Sequence, residues 1–293
     1  MTIQALERKI KTATELLSVV KTMKAMASVN IRTYERAVGS LAEYGRTINL
    51  AWLVFFLRAG GFPLVEAKGP AVVLAIGSDQ GMCGQFNEVI LQEIERREPD
   101  LRKDGEDVSY WVSGERVLGG LVDSGRDVRM HFQLPGSLSA VDTEVMAIIE
   151  HMDRQRREQG IQRFYLLNNR PAKGSAYESR LRKLLPLDKE WAARFEQRTW
   201  PERSLPQINM APKEFFGHLF SQYLFISLYR AFGQSLASEN AARLSSMQSA
   251  EKNIDEMKDR LTMEYRQARQ TQITGELMDV VSGFEALRDR DES

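Results

Sequence analysis

The sequence predicts an α/β domain carried between two long helices that pair as an antiparallel coiled coil. Three observations point there. Apolar residues recur at steps of three and four through the first 57 residues and again through the last eighty. No proline interrupts either pattern, and the breakers gather at their inner ends, in Arg58–Pro70 and around Pro201, Pro206 and Pro212. Between them, short β-branched runs alternate with amphipathic ones, which is the signature of βα units around a mostly parallel sheet. The expected boundaries are 1–57 and 213–293 for a discontinuous coiled-coil shaft and 70–212 for an inserted, Rossmann-like domain.

The first helix covers 2–57. Ile3, Leu6, Ile10, Ala13, Leu17 and Val20 keep a strict three-four alternation, the seam of a coiled coil. The pattern slips at Lys24 and resumes through Met23, Ala27, Ile31, Tyr34, Val38, Leu41, Ile48, Trp52 and Phe55. Thr2 is placed as its N-cap, and the breakers of Arg58–Pro70 end it.

In the middle, 71–77 (AVVLAIG) reads as a strand covered on both faces. Residues 77–84 (GSDQGMCG) form a turn, and 86–98 an amphipathic helix. Further strands are expected at 107–113, near 127–133 and at 161–168, with helices at 114–123 and 139–159. Segment 175–187 reads best as an edge strand. Residues 188–212, with Pro201, Pro206 and Pro212, read as an irregular return.

After Pro212 no proline remains. Leu236, Leu244, Met247, Ile254, Met257, Leu261, Tyr265, Ala268, Leu277, Val280, Phe284 and Leu287 form one stripe. At 1.5 Å per residue, 213–287 corresponds to roughly 110 Å of helix, too long to bury its stripe against its own small domain. If two such helices leave the same domain near 57 and 213, paired residue numbers total about 270. Met23 then faces about 247, Met1 faces about 269, and 271–287 overhangs.

Composition narrows the function. Lys+Arg and Asp+Glu are 40 each, which argues against phosphate-driven nucleic-acid binding. Residues 1–57 carry eight basic and four acidic side chains and 213–293 carry ten and thirteen, so the two helices are complementary in charge. One cysteine excludes an internal disulfide framework and suits a reducing compartment. No apolar run reaches 18 residues, so no direct membrane span is expected, and the charged N-terminal helix is no secretory signal.

The turn Gly77, Asp79, Gly81, Cys83, Gly84 sits where phosphate loops sit, after a strand and before a helix. It lacks the Lys-Ser/Thr of a P-loop and the GxGxxG spacing of a dinucleotide fold, and reads as a tight structural turn with Gly81 and Gly84 free to take positive φ. Cys83 reads as a small packed side chain. His131, His151 and His218 show no metal-ligand spacing. No catalytic constellation, metal site or cofactor site emerges. Ala237–Ala250 (ASENAARLSSMQSA) carries small side chains at nearly every off-seam position, either a smooth rod that lies close to other protein or merely a good helix former.

Four segments carry a resemblance. YLFISLYRAFGQSLASENAARLSSM (223–247) and LTMEYRQARQTQITGELMDVVSGFEAL (261–287), with ARQ-x-x-IT-x-E at 268–276, look like the C-terminal signature of the gamma subunit of F-type ATP synthases. IGSDQGMCGQFN (76–87) resembles that family's SD-x-G-LCGG-x-N turn, and VKTMKAMAS (20–28) its K-A-M segment. The turn departs from the pattern with MCGQ, and Thr22 replaces an alanine, which points to a divergent or alternative F-type branch with proton or sodium coupling left open.

The resemblance implies a non-catalytic central rotor shaft, peripheral on the cytoplasmic face of the inner or plasma membrane. It transmits rotation between the membrane c-ring and a catalytic hexamer of alpha and beta subunits, with the epsilon subunit and the c-ring seated on the α/β domain. Met23, Arg243 and Gln270 match the positions that meet the beta-subunit catch loops. Ile273, Leu277, Val280, Val281, Phe284 and Leu287 would form the bearing tip. No cofactor is implied. Pattern alone favours instead a structural coiled-coil adaptor with an inserted hinge domain, and a small-molecule enzyme built on the α/β domain finds no site residues.

Overall fold

The computed structural model describes residues 2–59, 68–103, 107–172, 175–196, 198–201 and 203–291, and their side chains except at 59, 175–176, 196 and 283–291. In chain order the elements are α1 (Ile3–Ala59), β1 (Ala71–Ile76), α2 (Phe86–Lys103), β2 (Val108–Ser113), α3 (Glu115–Asp123), β3 (Val128–Phe132), α4 (Leu138–Glu158), β4 (Arg163–Ala172), β5 (Ser175–Leu185), α5 (Lys189–Glu196) and α6 (Pro212–Asp291). The breakers expected within 60–67 lie outside the described residues.

The chain divides into two compact units, one of 1–26 with 244–293 and one of 27–243. In the larger unit the sheet order is β3-β2-β1-β4-β5. β1 pairs in parallel with β2 and β4, β2 in parallel with β3, and β5 runs antiparallel to β4 at the edge. β1 is buried at every position, as a β-branched run with both faces covered should be. Its alternation sorts the two cores. Val72, Leu74 and Ile76 join Trp111, Phe164 and Leu166 beneath α4, α5 and the inner ends of α1 and α6. Ala71, Val73 and Ala75 join Tyr110, Val112, Tyr165 and Leu167 beneath α2 and α3. A one-residue slip would exchange the two sets.

Two expectations are corrected here. α2 does not stop before Pro99 but runs through it to Lys103. Leu101 is buried, and the fully buried Arg163 donates to its carbonyl at 2.9 Å and to the Gly69 carbonyl at 2.8 Å. That guanidinium occupies an acceptor that a helix end otherwise leaves open.

The stretch read as an irregular return contains α5. Asp188 caps it, its Oδ1 accepting from the Trp191 amide at 2.9 Å, and Lys183 Nζ bonds the same carboxylate at 2.6 Å. Trp191, Ala192 and Phe195 then bury one face, with the Trp191 ring edge-on to Trp52 at 4.9 Å between centroids. A capping Asp followed by apolar residues at that spacing was a readable signal; the surrounding prolines masked it.

The helices pair as the seam demands, and the seam does not slip. Within the smaller unit Glu7 accepts from the Tyr265 hydroxyl at 2.9 Å and Lys24 pairs with Glu251. Within the larger, Asn30 donates to Asn240 at 3.3 Å and Tyr44 to Gln222 at 2.6 Å. As one number rises its partner falls, so the helices are antiparallel, and each pair totals close to 270, from 266 for Tyr44–Gln222 to 275 for Lys24–Glu251. The buried and half-buried positions on α1 include 3, 6, 10, 13, 17, 20, 24, 27, 31, 34, 38, 41, 45, 48, 52 and 55, an unbroken three-four alternation flanked by further half-buried residues such as Met23 and Asn30. Lys24 and Gly45 occupy seam positions, which is why an apolar reading saw a slip. On α6 the seam takes Lys258, and Met257 is exposed.

Candidate functional site

The turn between β1 and α2 is closed by its own hydrogen bonds. The Gly77 amide donates to Ser113 at 2.7 Å and the Ser78 amide to Asn87 Oδ1 at 3.0 Å. Asn87 Nδ2 returns to Ser78 Oγ at 2.9 Å and approaches Cys83 Sγ at 3.6 Å, whose thiol reaches the Gln80 carbonyl at 3.6 Å. Asp79 Oδ1 accepts from the Glu115 amide at 3.1 Å. It thus caps α3, whose own N-cap, Gly114, has no side chain to do so. Helix N-termini need such acceptors.

A Cβ at Gly77 would lie 2.4 Å from Val117 Cγ2, so only glycine allows β1 and α3 to approach. Positive φ falls on Gly84 and Met82, not on Gly81, where a side chain would instead crowd Arg116. The Ser78, Asp79, Cys83 and Asn87 side chains are all engaged in holding the strand-turn-helix. Burial, first of all, pushes the Cys83 thiol above its ordinary value; the Ser78 hydrogen bond opposes it and the nearby Glu239 adds to it. The thiol is a buried, packed side chain.

Above this turn lies the polar segment of α6. Residues 235–240 are all buried, with Ser235 Oγ donating to the Ile76 carbonyl at 3.2 Å and Asn240 meeting Asn30. Of the two readings of 237–250, close approach is the one realised for the buried 237–240, and what α6 lies close to is the chain's own sheet and α1. Small side chains let the helix settle over the C-terminal end of β1.

The sequence offers Glu239 in this row as an i,i+4 partner of Arg243 but does not show its burial. It is a carboxylate whose side chain is only 8% exposed, and Arg243 Nη2 donates to it at 2.6 Å from one turn away. Burial raises the Glu239 pKa most; the Arg243 guanidinium pulls it down, Asp79 pushes it up, and the net displacement is upward. Tyr34 is likewise raised, by burial and then by Glu239. Arg243 is itself 12% exposed, and its Nε has no partner among the described residues.

The other two expected contact residues lie on the smaller unit. Met23 is half-buried on α1, and Gln270 is exposed on α6, its backbone carbonyl taken by Thr274 at 2.9 Å. The structure brings Arg243 together with the turn, through Glu239 and Cys83, and does not bring Met23 and Gln270 into contact with one another.

The last half-buried position on α6 is 268, and 269–282 are exposed throughout. Ile273, Leu277, Met278, Val280 and Val281 are 49%, 60%, 63%, 70% and 46% exposed. Helix α6 continues to Asp291; the side chains of Phe284 and Leu287 lie outside those described. Among the described residues no group of His, Cys, Asp and Glu could hold a metal ion, and no helix is long and apolar enough to cross a membrane.

A family model described as ATP synthase matches residues 2–287. The ATP synthase gamma chain of Geotalea uraniireducens is 26% identical over 292 residues, covering 98% of this chain and 99% of that one. Among solved structures, a chain of the Euglena gracilis mitochondrial ATP synthase in rotational state 3 superposes with a TM-score of 0.67 at 15% identity, over 100% of this chain and 96% of that one. A chain of the Tetrahymena thermophila mitochondrial ATP synthase central stalk and c-ring does so at 0.56 and 18%, over 79% and 99%. With paired terminal helices, an interposed mostly parallel sheet and a model match across nearly its whole length, this chain belongs to the ATP synthase gamma family.

Proposed function

We propose that this chain is the central-stalk subunit of an F-type ATP synthase or ATPase, transmitting rotation between an ion-driven membrane ring and a catalytic alpha/beta hexamer while doing no chemistry itself. The observation that carries the mechanical part is the end of α6, a single helix with five large apolar side chains bare to water. Burying each is worth about 1.5–3 kcal/mol, so a sleeve of other subunits around 269–291 is strongly favoured. An apolar sleeve holds without directional bonds, as a bearing must. Arg243, Gln270 and Met23 are its contacts to beta-subunit loops. Epsilon and the c-ring are proposed to dock on the sheet domain, and the complex lies at the cytoplasmic face of its membrane.

The absence of chemistry rests on the turn, whose Ser78, Asp79 and Cys83 side chains are engaged within the fold and which has no lysine for a triphosphate. The isolated chain should neither hydrolyse ATP nor bind it at that turn.

Reconstitution with the alpha and beta subunits of the same source tests the reading. ATP-driven rotation of a bead fixed to the sheet domain, with 269–291 protected from protease only in the assembly, is the expected result. Assembly without nucleotide-dependent rotation would favour a structural adaptor, and no assembly at all would overturn the proposal.

A further inference from the structure

Beside the inner ends of α1 and α6, away from the turn, the larger unit has a cleft of about 900 Å³ and an adjoining one of about 210 Å³. The two share Gly45, Asn49, Arg198 and Arg230 in their walls. Together their described lining carries five arginines, Arg46, Arg182, Arg194, Arg198 and Arg230, and no aspartate or glutamate. Arg46 has an exposed ion pair with Glu43 at 3.9 Å. The other four have no ion pair among the described residues. Arg182 reaches only a backbone acceptor, the Ser227 carbonyl at 3.3 Å.

The arrangement is unfavourable without an anion. Burial lowers the Arg182 pKa first; the Tyr223 hydroxyl opposes it, and Arg230, Arg180 and Arg194 lower it further. Like charges gathered in a partly dry cleft repel, and few folds keep them together with nothing to neutralise. The local geometry accommodates the cluster. Gly45 sits on the coiled-coil seam, and a Cβ there would stand 2.7 Å from Arg230 Nη2. A missing side chain on α1 is what lets that guanidinium lie across the helix, facing the cleft. Asn49 and Gln234 add amide donors to the same wall.

Guanidinium forks match phosphate oxygens in bidentate geometry, and several converging ones suit more than one negative charge. We propose that this cleft is a binding site for a small phosphate-bearing polyanion, held by Arg182, Arg198 and Arg230. The phosphate groups come either from a soluble polyphosphate compound or from the headgroup of an anionic lipid; the recognition chemistry is the same. The site is separate from the helix end and turn considered above, and its test does not depend on rotation.

Titration calorimetry of the full chain with inorganic tripolyphosphate should show binding that weakens as salt is raised. Arg182→Gln with Arg230→Gln should lower the affinity at least about tenfold, and Arg198→Gln, at the exposed rim, should lower it with no effect on the circular dichroism. Co-sedimentation with phosphatidylcholine vesicles, with and without phosphatidylglycerol, separates the sources. Arginine-dependent binding to the anionic vesicles without binding to tripolyphosphate assigns the headgroup. Binding of neither probe, or binding indifferent to all three arginines, overturns the proposal. So would arginine variants that fail only to assemble with other subunits while the parent chain binds no anion, since the cleft would then receive an acidic protein segment.

Discussion

Glu239 and Arg243 show how a surface-looking motif becomes an internal one. In the sequence they are an i,i+4 pair on a long helix, worth about 0.3–0.5 kcal/mol if exposed. In the fold the carboxylate is 8% exposed and the guanidinium 12%, and removing one partner strands the other. Arg243→Ala should therefore cost the isolated chain about 2–3 kcal/mol in denaturant unfolding, and Glu239→Gln added to it should restore part of that. Equal stability of Arg243→Ala and wild type would mean the pair is solvated.

The pH dependence has a definite sign. The folded Glu239 pKa lies above the ordinary carboxylate value. Between the two values the folded state holds a proton that the unfolded chain has released, so wild-type stability falls as pH rises across that window. Glu239→Gln lacks this loss. Its melting temperature should gain on wild type from about pH 4 upward, and a gain in the opposite direction would contradict the raised value. In the assembled complex, Arg243→Ala and Gln270→Ala are each expected to lower coupled ATP turnover. For Gln270, exposed and remote from any core, that loss should come without a change in the stability of the isolated chain. Arg243 was legible as a contact candidate from its motif; the burial of its partner was not, because that depends on a sheet some 160 residues earlier in the chain.

The two long helices were legible almost to their ends, since a seam repeated over about eight heptads leaves one solution. What misled was residue chemistry. Lys24 on the seam looks like a break until its ammonium meets Glu251, and Gly45 looks like a gap until Arg230 lies over it. Lys24→Leu alone should leave Glu251 without its ion-pair partner and lower the melting temperature slightly. Lys24→Leu with Glu251→Leu should recover the loss or exceed wild type in thermal melts, because half-buried ion pairs seldom outperform packed hydrophobes.

The register makes its own test. In a Cys83→Ser background, cysteines at 23 and 247 should cross-link on mild oxidation, and cysteines at 23 and 270 should not. Efficient linkage of the second pair would contradict the spacing that Glu7–Tyr265 and Lys24–Glu251 define. The strands and their helices were equally readable from period and β-branching. α5 was masked by its surrounding prolines although Asp188 caps it locally, and the final turn of α2 was not readable because it is held by the distant Arg163.

For the molecule as a whole, the decisive property is that α6 is longer than anything in the chain able to cover it. Residues 269–282 bury nothing, so a chain ending at Gln272 should melt within about 1 °C of the full one. A drop of several degrees would reveal contacts that the isolated structure lacks. The same truncation should abolish tight assembly with the catalytic subunits if the bare end is their bearing.

The sequence by itself determined the parts that depend on neighbours close along the chain. These are the helical period, the strand alternation, the turn chemistry and, because two equal rises fix a sum, the antiparallel register. Only the tertiary structure decided which polar residues would be taken from water: Glu239 beneath Arg243, Arg163 at the end of α2, and five arginines around one cleft. Periodicity reports which face of an element is apolar. The cost of a buried charge depends on which groups the fold brings against it from elsewhere, and a linear pattern does not encode that distance.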